Sequence, residues 1–268
     1  MRTFVSDPEL DSIVGAFEHV DRHLFRALLG DPEAHGDLAE IGVWYGQSAI
    51  LIGDYVRDDE TFTVIDLFGA PAADPSNQVE NQDSYSGLTR SAFEANYLRF
   101  HDALPNVIQG FSQDIAKHAR SGSHRFVHID ASHLFEHVEA DLAASKQLLA
   151  KAGIIVFDDI RHERTPGVAA AAWQAVGRGE LIPFAISPHK LYTATGGVDR
   201  YSMLIREWQR GQESWQIEEQ SINGHPVLRI FTDPPEGPKY SRAKRFVPEV
   251  AWPLFSWLRQ RRDRVTAR

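Results

Sequence analysis

Apolar residues recur at helical spacing near the start of the chain. Between residues 10 and 29 they form one stripe, which consists of Ile13, Phe17, Val20, Leu24 and Leu28. A period close to 3.6 residues is typical of an amphipathic helix that packs its apolar face on a core. We therefore expect residues 1–35 to form a helical lead-in to the main domain.

From Gly36 onward, short apolar runs alternate with helix-like stretches. The runs read DLAEIGVW, FTVIDLF, NVIQGFS, RFVHID and AGIIVFDDI, and residues 134–149 between the last two have a helical apolar period. Continuous apolar strands separated by helices indicate a mostly parallel sheet that is covered on both faces. The pattern predicts a doubly wound α/β domain, to which we assign residues 36–235.

The pattern after Pro166 is weaker. LIPFAIS and YSMLIREW are expected to be further strands, and WQIEEQSI and HPVLRIF flank Asn223-Gly224, a strong signal for a two-residue hairpin turn. Residues 69–90 form a long polar insertion, and loops of this length are usually lids or mobile segments. Its polar side chains suit a hydroxyl-rich ligand: Asn77, Gln78, Asn81, Gln82, Asp83 and Tyr85.

Polar residues stand where the predicted strands end. They are Glu40 and Gly42, Asp66, Ser112 and Gln113, Asp130, and the pair Asp158 and Asp159. In parallel sheets, ligands bind beyond the carboxyl ends of the strands. Five strands therefore direct polar groups to one rim, and we expect a ligand site there.

The first of these strand ends is rich in glycine, with the pattern Glu40-x-Gly42-x-x-x-Gly46-x-Ser48. Such glycines let a ligand approach the backbone, although they also occur for packing alone. Asp66 ends the next strand, where an acid can accept hydrogen bonds from ribose hydroxyls. A nicotinamide fold would need glycine in place of Trp44, so the dinucleotide interpretation is weak.

Four segments together resemble the class I S-adenosylmethionine-dependent methyltransferases. They are EIGVWYGQS, the acid in FTVIDLF, GFSQDI, and IDASH followed by FDDI, and they span roughly residues 36–170. Within that class the chain is similar to the metal-dependent O-methyltransferases of the catechol and macrolide-sugar type. The resemblance implies a Rossmann-like sheet of seven strands, mostly parallel and ending in an antiparallel strand.

The resemblance also implies how the methyl donor binds. Its methionine part would be lined by Glu40, Gly42, Tyr45, Gly46 and Ser48. Asp66 would hold the ribose, Ser112 and Gln113 would meet the adenine, and Asp130 would border the cofactor. Asp66 is a departure, because many relatives carry the longer Glu at this position.

Asp130, Asp158 and Asp159 form a second group. Converging carboxylates repel one another unless a cation lies between them, and an all-oxygen site suits Mg²⁺ better than zinc. The resemblance implies the same ion, although catechol-type relatives carry Asn in place of Asp159. The alternative is that these acids cap helices and stay solvated.

His133 follows Asp130 by three residues, and in the relatives this spacing places the general base beside the metal. Histidine, with a reference pKa of about 6.5, can accept a proton from an alcohol whose own pKa the metal lowers. The expected reaction is therefore Mg²⁺-assisted methyl transfer to a hydroxyl, with Asp130 and His133 as catalytic residues. The acceptor is expected to be a small sugar, an oligosaccharide or a glycosylated natural product.

Other functions compete with this one. His133-Leu134-Phe135-Glu136-His137 spells H-x-x-E-H, an inverted zinc-protease signature, so a zinc hydrolase is an alternative. A hydroxylase on the same fold and a non-catalytic binding protein are the others.

The amino-acid composition excludes further classes of function. The 268 residues carry a net charge of −9 and no cysteine, which argues against a general nucleic-acid binder and excludes disulfides and thiolate metal sites. No apolar run is long enough for a signal peptide or a membrane span, so a cytoplasmic protein is the expectation. Residues 236–268 form a basic tail, in which we expect a helix that docks through its aromatic residues, at the contact of a homodimer.

Overall fold

The computed structural model describes residues 4–72, 75–84 and 87–232, without the side chains of residues 80–84. Eight α-helices lie in these ranges: α1 (Asp7–Leu10), α2 (His19–Leu29), α3 (Gln47–Gly53), α4 (Pro75–Ser84), α5 (Arg90–Tyr97), α6 (Phe135–Leu148), α7 (Pro166–Gly177) and α8 (Val198–Gln209). A 3-10 helix spans Ser112–Lys117. The basic tail and the C-terminal helix expected within it lie outside the described residues.

Nine described strands form one sheet: β1 (Asp37–Ile41), β2 (Phe62–Asp66), β3 (Asn106–Gln109), β4 (His124–Ile129), β5 (Leu149–Phe157), β6 (Ile182–Ile186), β7 (Leu191–Ala194), β8 (Gln216–Ile222) and β9 (His225–Phe231). Their order is β3-β2-β1-β4-β5-β7-β6-β9-β8, with β1 to β5 parallel and β7 antiparallel to both neighbours. The doubly wound α/β fold is confirmed.

The expected number of seven strands is wrong. The hairpin of β8 and β9, with its turn at Asn223 and Gly224, adds two strands because β9 pairs with the edge of β6. A second correction concerns YSMLIREW, which lies in α8 rather than in a strand. Its apolar residues Tyr201 and Ile205 are four positions apart, so a helix buries both on one face.

Two apolar layers cover the two faces of the sheet. On one face, α2, α3, α5 and α8 pack around Phe25, Ile50, Phe93 and Ile205. On the other, α6 and α7 pack around Leu142 and Ala172. The N-terminal lead-in contains two short helices rather than one, because residues 11–18 separate α1 from α2.

The order in which strands are added to the sheet changes direction between β1 and β4. From β1 the order runs outward to β2 and β3, whereas β4 and β5 lie on the other side. The loops that follow β1 and β4 therefore leave the sheet toward opposite sides, which creates a crevice at their carboxyl ends. The predicted ligand residues lie around this crevice. Among the described helices, none combines the length and apolar character that a membrane crossing requires.

Candidate active site

A cavity of about 270 Å³ opens at the carboxyl ends of β1, β2 and β4. Of the predicted cofactor residues, those that line it are Gly42, Asp66, Ser112, Gln113 and Asp130. Several other lining residues were not predicted to bind the cofactor, including Trp44, Phe111, Ser132 and His137. Asn77 of the polar insertion also lines the cavity, from helix α4.

Gly42 brings the ends of β1 and β4 together. Its φ is 81°, and a Cβ at this position would lie 2.1 Å from the carbonyl oxygen of Asp130. Only glycine tolerates both the left-handed backbone and this approach. The glycine predicted from sequence is therefore required by contact between two strand ends, and the same contact leaves the cavity open beside it.

Asp66 is held by backbone amides. Its Oδ2 accepts hydrogen bonds from the N–H groups of Val43 at 2.9 Å and Trp44 at 3.2 Å, and its Oδ1 accepts one from Phe68 at 2.7 Å. Burial raises the pKa of the Asp66 carboxyl, although these amides oppose the shift. The carboxylate thus fixes the loop after β1, and its predicted contact with ribose would use its remaining lone pairs.

Glu40 does not line the cavity. It is buried and opposite His128 in the register of β1 and β4, and its Oε1 lies 2.7 Å from His128 Nδ1. Burial raises the pKa of Glu40 to about 8, and the Ser48 hydroxyl offsets part of that shift. The described residues that line the cavity do not include Glu40, Tyr45, Gly46 or Ser48. Their contacts with the cofactor therefore stay predictions.

Tyr45 and Gly46 shape the loop between β1 and α3. The carbonyl of Tyr45 accepts a hydrogen bond from Asn96 Nδ2 at 3.0 Å, which ties the loop to α5. Gly46 precedes α3 with a φ of 95°, and the Phe93 ring packs against it. These contacts fix where α3 begins, and Ser48 lies in its first turn.

Asp130 and Asp158 lie together at the ends of β4 and β5. One oxygen of each lies within 4.8 Å of the other and of a ring nitrogen of His128, a grouping able to hold a metal ion. Burial and the neighbouring Asp158 raise the pKa of Asp130 well above its usual range. Burial and repulsion from Asp158 thus disfavour the ionised form of Asp130, and a cation bound between the two carboxylates would reverse that preference.

Asp159 turns toward His133 instead. Its φ is 53°, and its Oδ2 lies 3.0 Å from His133 Nε2. Burial opposes the charge of Asp159, but the hydrogen bond and charge of His133 lower its pKa. The three predicted metal ligands thus divide into Asp130 with Asp158, and Asp159 with the predicted base. Coordination by Asp159 stays a prediction.

Two residues of this centre were missed from the sequence, His128 and Lys190. Lys190 pairs with Asp158, and its Nζ lies 3.0 Å from His128 Nε2. Burial opposes the charge of Lys190, but Asp158, Asp130 and Asp21 raise its pKa. His128 could have been noticed as a polar residue inside an apolar strand, two positions before Asp130. Lys190 has no such signal, because it lies far along the chain.

Comparison with known proteins agrees with this geometry. Residues 39–160 match the family profile described as a methyltransferase domain, and this span contains both the glycine-rich turn and the acidic pair. The chain carries a methyltransferase domain. Its expected place among the class I S-adenosylmethionine-dependent methyltransferases is confirmed.

Solved structures show that the methyltransferase fold extends beyond this span. The O-methyltransferase NovP is 19% identical with a TM-score of 0.54, over 65% of this chain and 79% of that one. A protein from Corynebacterium glutamicum is 14% identical with a TM-score of 0.50, over 72% of this chain and 92% of that one. At these identities the likeness establishes the fold. A search of curated proteins by sequence gives no match.

The zinc-hydrolase alternative does not fit the methyltransferase site. His133 precedes α6, which begins at Phe135, so His133 and His137 do not lie one turn apart on the same helix. His133 faces Asp159, whereas His137 Nδ1 lies 3.0 Å from the Ser132 hydroxyl. In the described part of the chain, these two histidines belong to no group placed to hold a metal.

Proposed function

We propose that this methyltransferase moves a methyl group from S-adenosylmethionine to a hydroxyl oxygen of a small saccharide or glycosylated natural product. The observation that carries the proposal is the position of Asp130. It lines the cavity at the strand ends and also belongs to the acidic centre with Asp158. A methyl donor in the cavity and a hydroxyl at the acidic centre would therefore be neighbours, as transfer requires.

Within this proposal, the cavity takes the methyl donor. Gly42 and Asp130 would border its sulfonium end, and Asp66 the ribose. Ser112 and Gln113, which begin the 3-10 helix, would meet the adenine. The loop after β1, on which the methionine part would rest, would be held in place by Glu40, Tyr45, Gly46 and Ser48.

The acidic centre fits a divalent cation. Asp130 and Asp158 supply hard oxygen donors. Burial and the charge of Asp158 raise the pKa of Asp130, so a bound cation would favour its ionised form. Asp130, Asp158 and Asp159 would hold Mg²⁺, which when bound would lower the pKa of the acceptor hydroxyl. Asp159 lies beside this pair and would serve both the ion and His133.

His133 is the proposed general base. It would take the proton of the acceptor hydroxyl as the methyl group leaves the sulfonium for the hydroxyl oxygen, with S-adenosylhomocysteine as the second product. Asp159, 3.0 Å from His133 Nε2, orients the ring and stabilises its protonated form. The protein's contribution is otherwise alignment and electrostatics.

The proposed acceptor class rests on polar groups that line the cavity beside those assigned to the methyl donor. Asn77 and Gln78 line it from α4, and Ser132 and His137 line it from the loop and helix after β4. These side chains offer hydrogen bonds to several hydroxyls at once, which an apolar aromatic acceptor would leave unused. The name of NovP supports oxygen as the acceptor atom.

One assay tests these statements together. S-adenosylhomocysteine formation is measured with simple glycosides and with catechol, in excess EDTA and after Mg²⁺ is restored. We expect turnover with a glycoside only, its loss in EDTA, and its recovery with Mg²⁺. Turnover that persists in EDTA would refute the metal assignment, preference for catechol would refute the acceptor class, and failure to bind S-adenosylmethionine in calorimetry would refute the function.

A further inference from the structure

Lys190 carries a charged group into the interior of the protein. It lies just before β7 and is 1% exposed. A tight turn delivers it there, in which the Ser187 hydroxyl accepts a hydrogen bond from the Lys190 N–H at 2.8 Å. The ammonium lies 5.4 Å from the centre of the Phe17 ring and 5.9 Å from that of Phe25. A buried ammonium in apolar surroundings is costly unless it is paired.

The partners of Lys190 belong to the acidic centre. Its Nζ forms an ion pair with Asp158 Oδ2 and lies 3.0 Å from His128 Nε2. His128 Nδ1 in turn lies 2.7 Å from Glu40 Oε1. We name Glu40, His128, Lys190 and Asp158 the buried chain. It runs from below the glycine-rich loop to the proposed metal site.

The chemistry of lysine fixes the direction of these hydrogen bonds. An ammonium only donates, so Nε2 of His128 must accept from Lys190. The proton of the imidazole is then on Nδ1, which donates to Glu40. His128 is therefore neutral and rigidly oriented, and the positive charge of the buried chain resides on Lys190. Lys190 forms its ion pair with Asp158, whose other oxygen accepts a hydrogen bond from the Asp159 N–H at 2.7 Å.

The charges of the centre can then be counted. Asp130, Asp158 and Asp159 bring three negative charges when ionised, and Lys190 brings one positive charge. The carboxylates therefore outnumber the buried cation, and Asp21 beside Lys190 and Glu40 beside Asp130 add further negative charge when ionised. Without Lys190, Asp130 and Asp158 would face each other at less than 4.8 Å with no cation between them, a repulsion that favours protonation or displacement of one carboxylate.

We propose that Lys190 is a positioning residue for methyl transfer, a permanent internal cation that holds Asp158 in place and keeps the acidic centre assembled before the divalent ion binds. This inference rests on the metal assignment in the proposed function. It predicts that loss of the Lys190 charge makes the fold depend on added metal, because the ion then supplies the compensation that lysine supplies in the wild type.

The first arm of the test is a double-mutant cycle in metal-free protein, followed by thermal unfolding. We expect K190M to lower Tm by roughly 10 °C, because Asp158 is left buried and unpaired. K190M/D158N should recover at least half of that loss, since it removes both charges, and K190R should stay close to wild type. Additive effects of K190M and D158N would overturn the inference.

The second arm adds Mg²⁺ or Mn²⁺ to each variant. The metal-induced rise in Tm should be larger in K190M than in the wild type by roughly 3 °C or more, because the Lys190 ammonium no longer repels the divalent cation. The control is T193V in β7, the strand that follows Lys190. It removes the buried hydrogen bond from the Thr193 hydroxyl to the Ile155 carbonyl of β5 without changing charge. It should lower Tm yet keep the wild-type metal increment.

The outcomes separate the two proposals. Equal metal increments in K190M and wild type would overturn the role of Lys190, since a merely structural lysine lowers Tm without changing metal dependence. If the wild type shows no increment, the metal assignment fails, and the inference is decided by the cycle alone. If K190M does not fold, a folded K190M/D158N protein supports the inference and an unfolded one overturns it.

Discussion

Nε2 of His133 lies 3.0 Å from Oδ2 of Asp159. This pair joins the predicted base to a predicted metal ligand, and it gives the base a carboxylate that orients its ring. The same arrangement explains why Asp159 stands apart from Asp130 and Asp158. The proposed proton acceptor and the acidic centre are thus connected through one side chain.

The first prediction concerns His133. H133A removes the proton acceptor but leaves the cavity intact, so kcat should fall by roughly 10²- to 10⁴-fold with little change in S-adenosylmethionine affinity. Steady-state kinetics and calorimetry measure the two effects. H118A is the control, because His118 is exposed after the 3-10 helix. A fully active H133A protein would end the assignment.

The second prediction concerns Gly42. In G42A the new Cβ would meet the Asp130 carbonyl oxygen at 2.1 Å, on a backbone with a φ of 81°. The ends of β1 and β4 must then separate, so Tm should fall by about 10 °C or more and cofactor binding should weaken strongly. G177A is the matched control, since no atom lies within 4 Å of its added Cβ, and its Tm should change by no more than about 2 °C. Normal cofactor affinity in G42A would contradict the proposed cavity.

The third prediction concerns Asp66. In D66N one of the two acceptor oxygens becomes an amide nitrogen, which cannot accept from Val43 and Trp44 or from Phe68. The loop after β1 loses its anchor, so S-adenosylmethionine affinity should fall about tenfold or more and Tm by several degrees. D58N, at an exposed position, should change neither. Wild-type affinity in D66N would show that the loop does not depend on this anchor.

The fourth prediction concerns the pH dependence of stability. Burial raises the pKa of Asp141 in α6 from 3.8 to about 7, and the Ser112 hydroxyl offsets part of the shift. Between these values the unfolded chain binds fewer protons than the folded one, so this contribution is complete below about pH 4 and is lost as pH rises through about 7.

Thermal unfolding between pH 4 and 8 checks the sign. The Tm of D141N relative to wild type should rise by several degrees across this range and then level off. E136Q, an exposed carboxylate change on the same helix, should give a constant difference. A constant difference for D141N as well would contradict the assigned protonation of Asp141.

The sequence by itself determined the doubly wound fold and the rim on which the site lies. Apolar runs that alternate with helical periods require a covered parallel sheet, and its strand ends are then fixed, so Gly42, Asp66 and Asp130 could be placed together. The weaker pattern after Pro166 gave the hairpin at Asn223 and Gly224 correctly. It failed for α8, because a short apolar run fits both a strand and one turn of a buried helix.

Only the tertiary structure decided the contacts made by each polar group. Spacing along the chain places Asp158 and Asp159 side by side, but the left-handed backbone of Asp159 directs one toward His133 while the other pairs with Lys190. Lys190 comes from a turn whose position depends on how β7 inserts beside β5. Local sequence carries periodicity and turn chemistry, whereas charge compensation in a buried site depends on distant segments that meet only after folding.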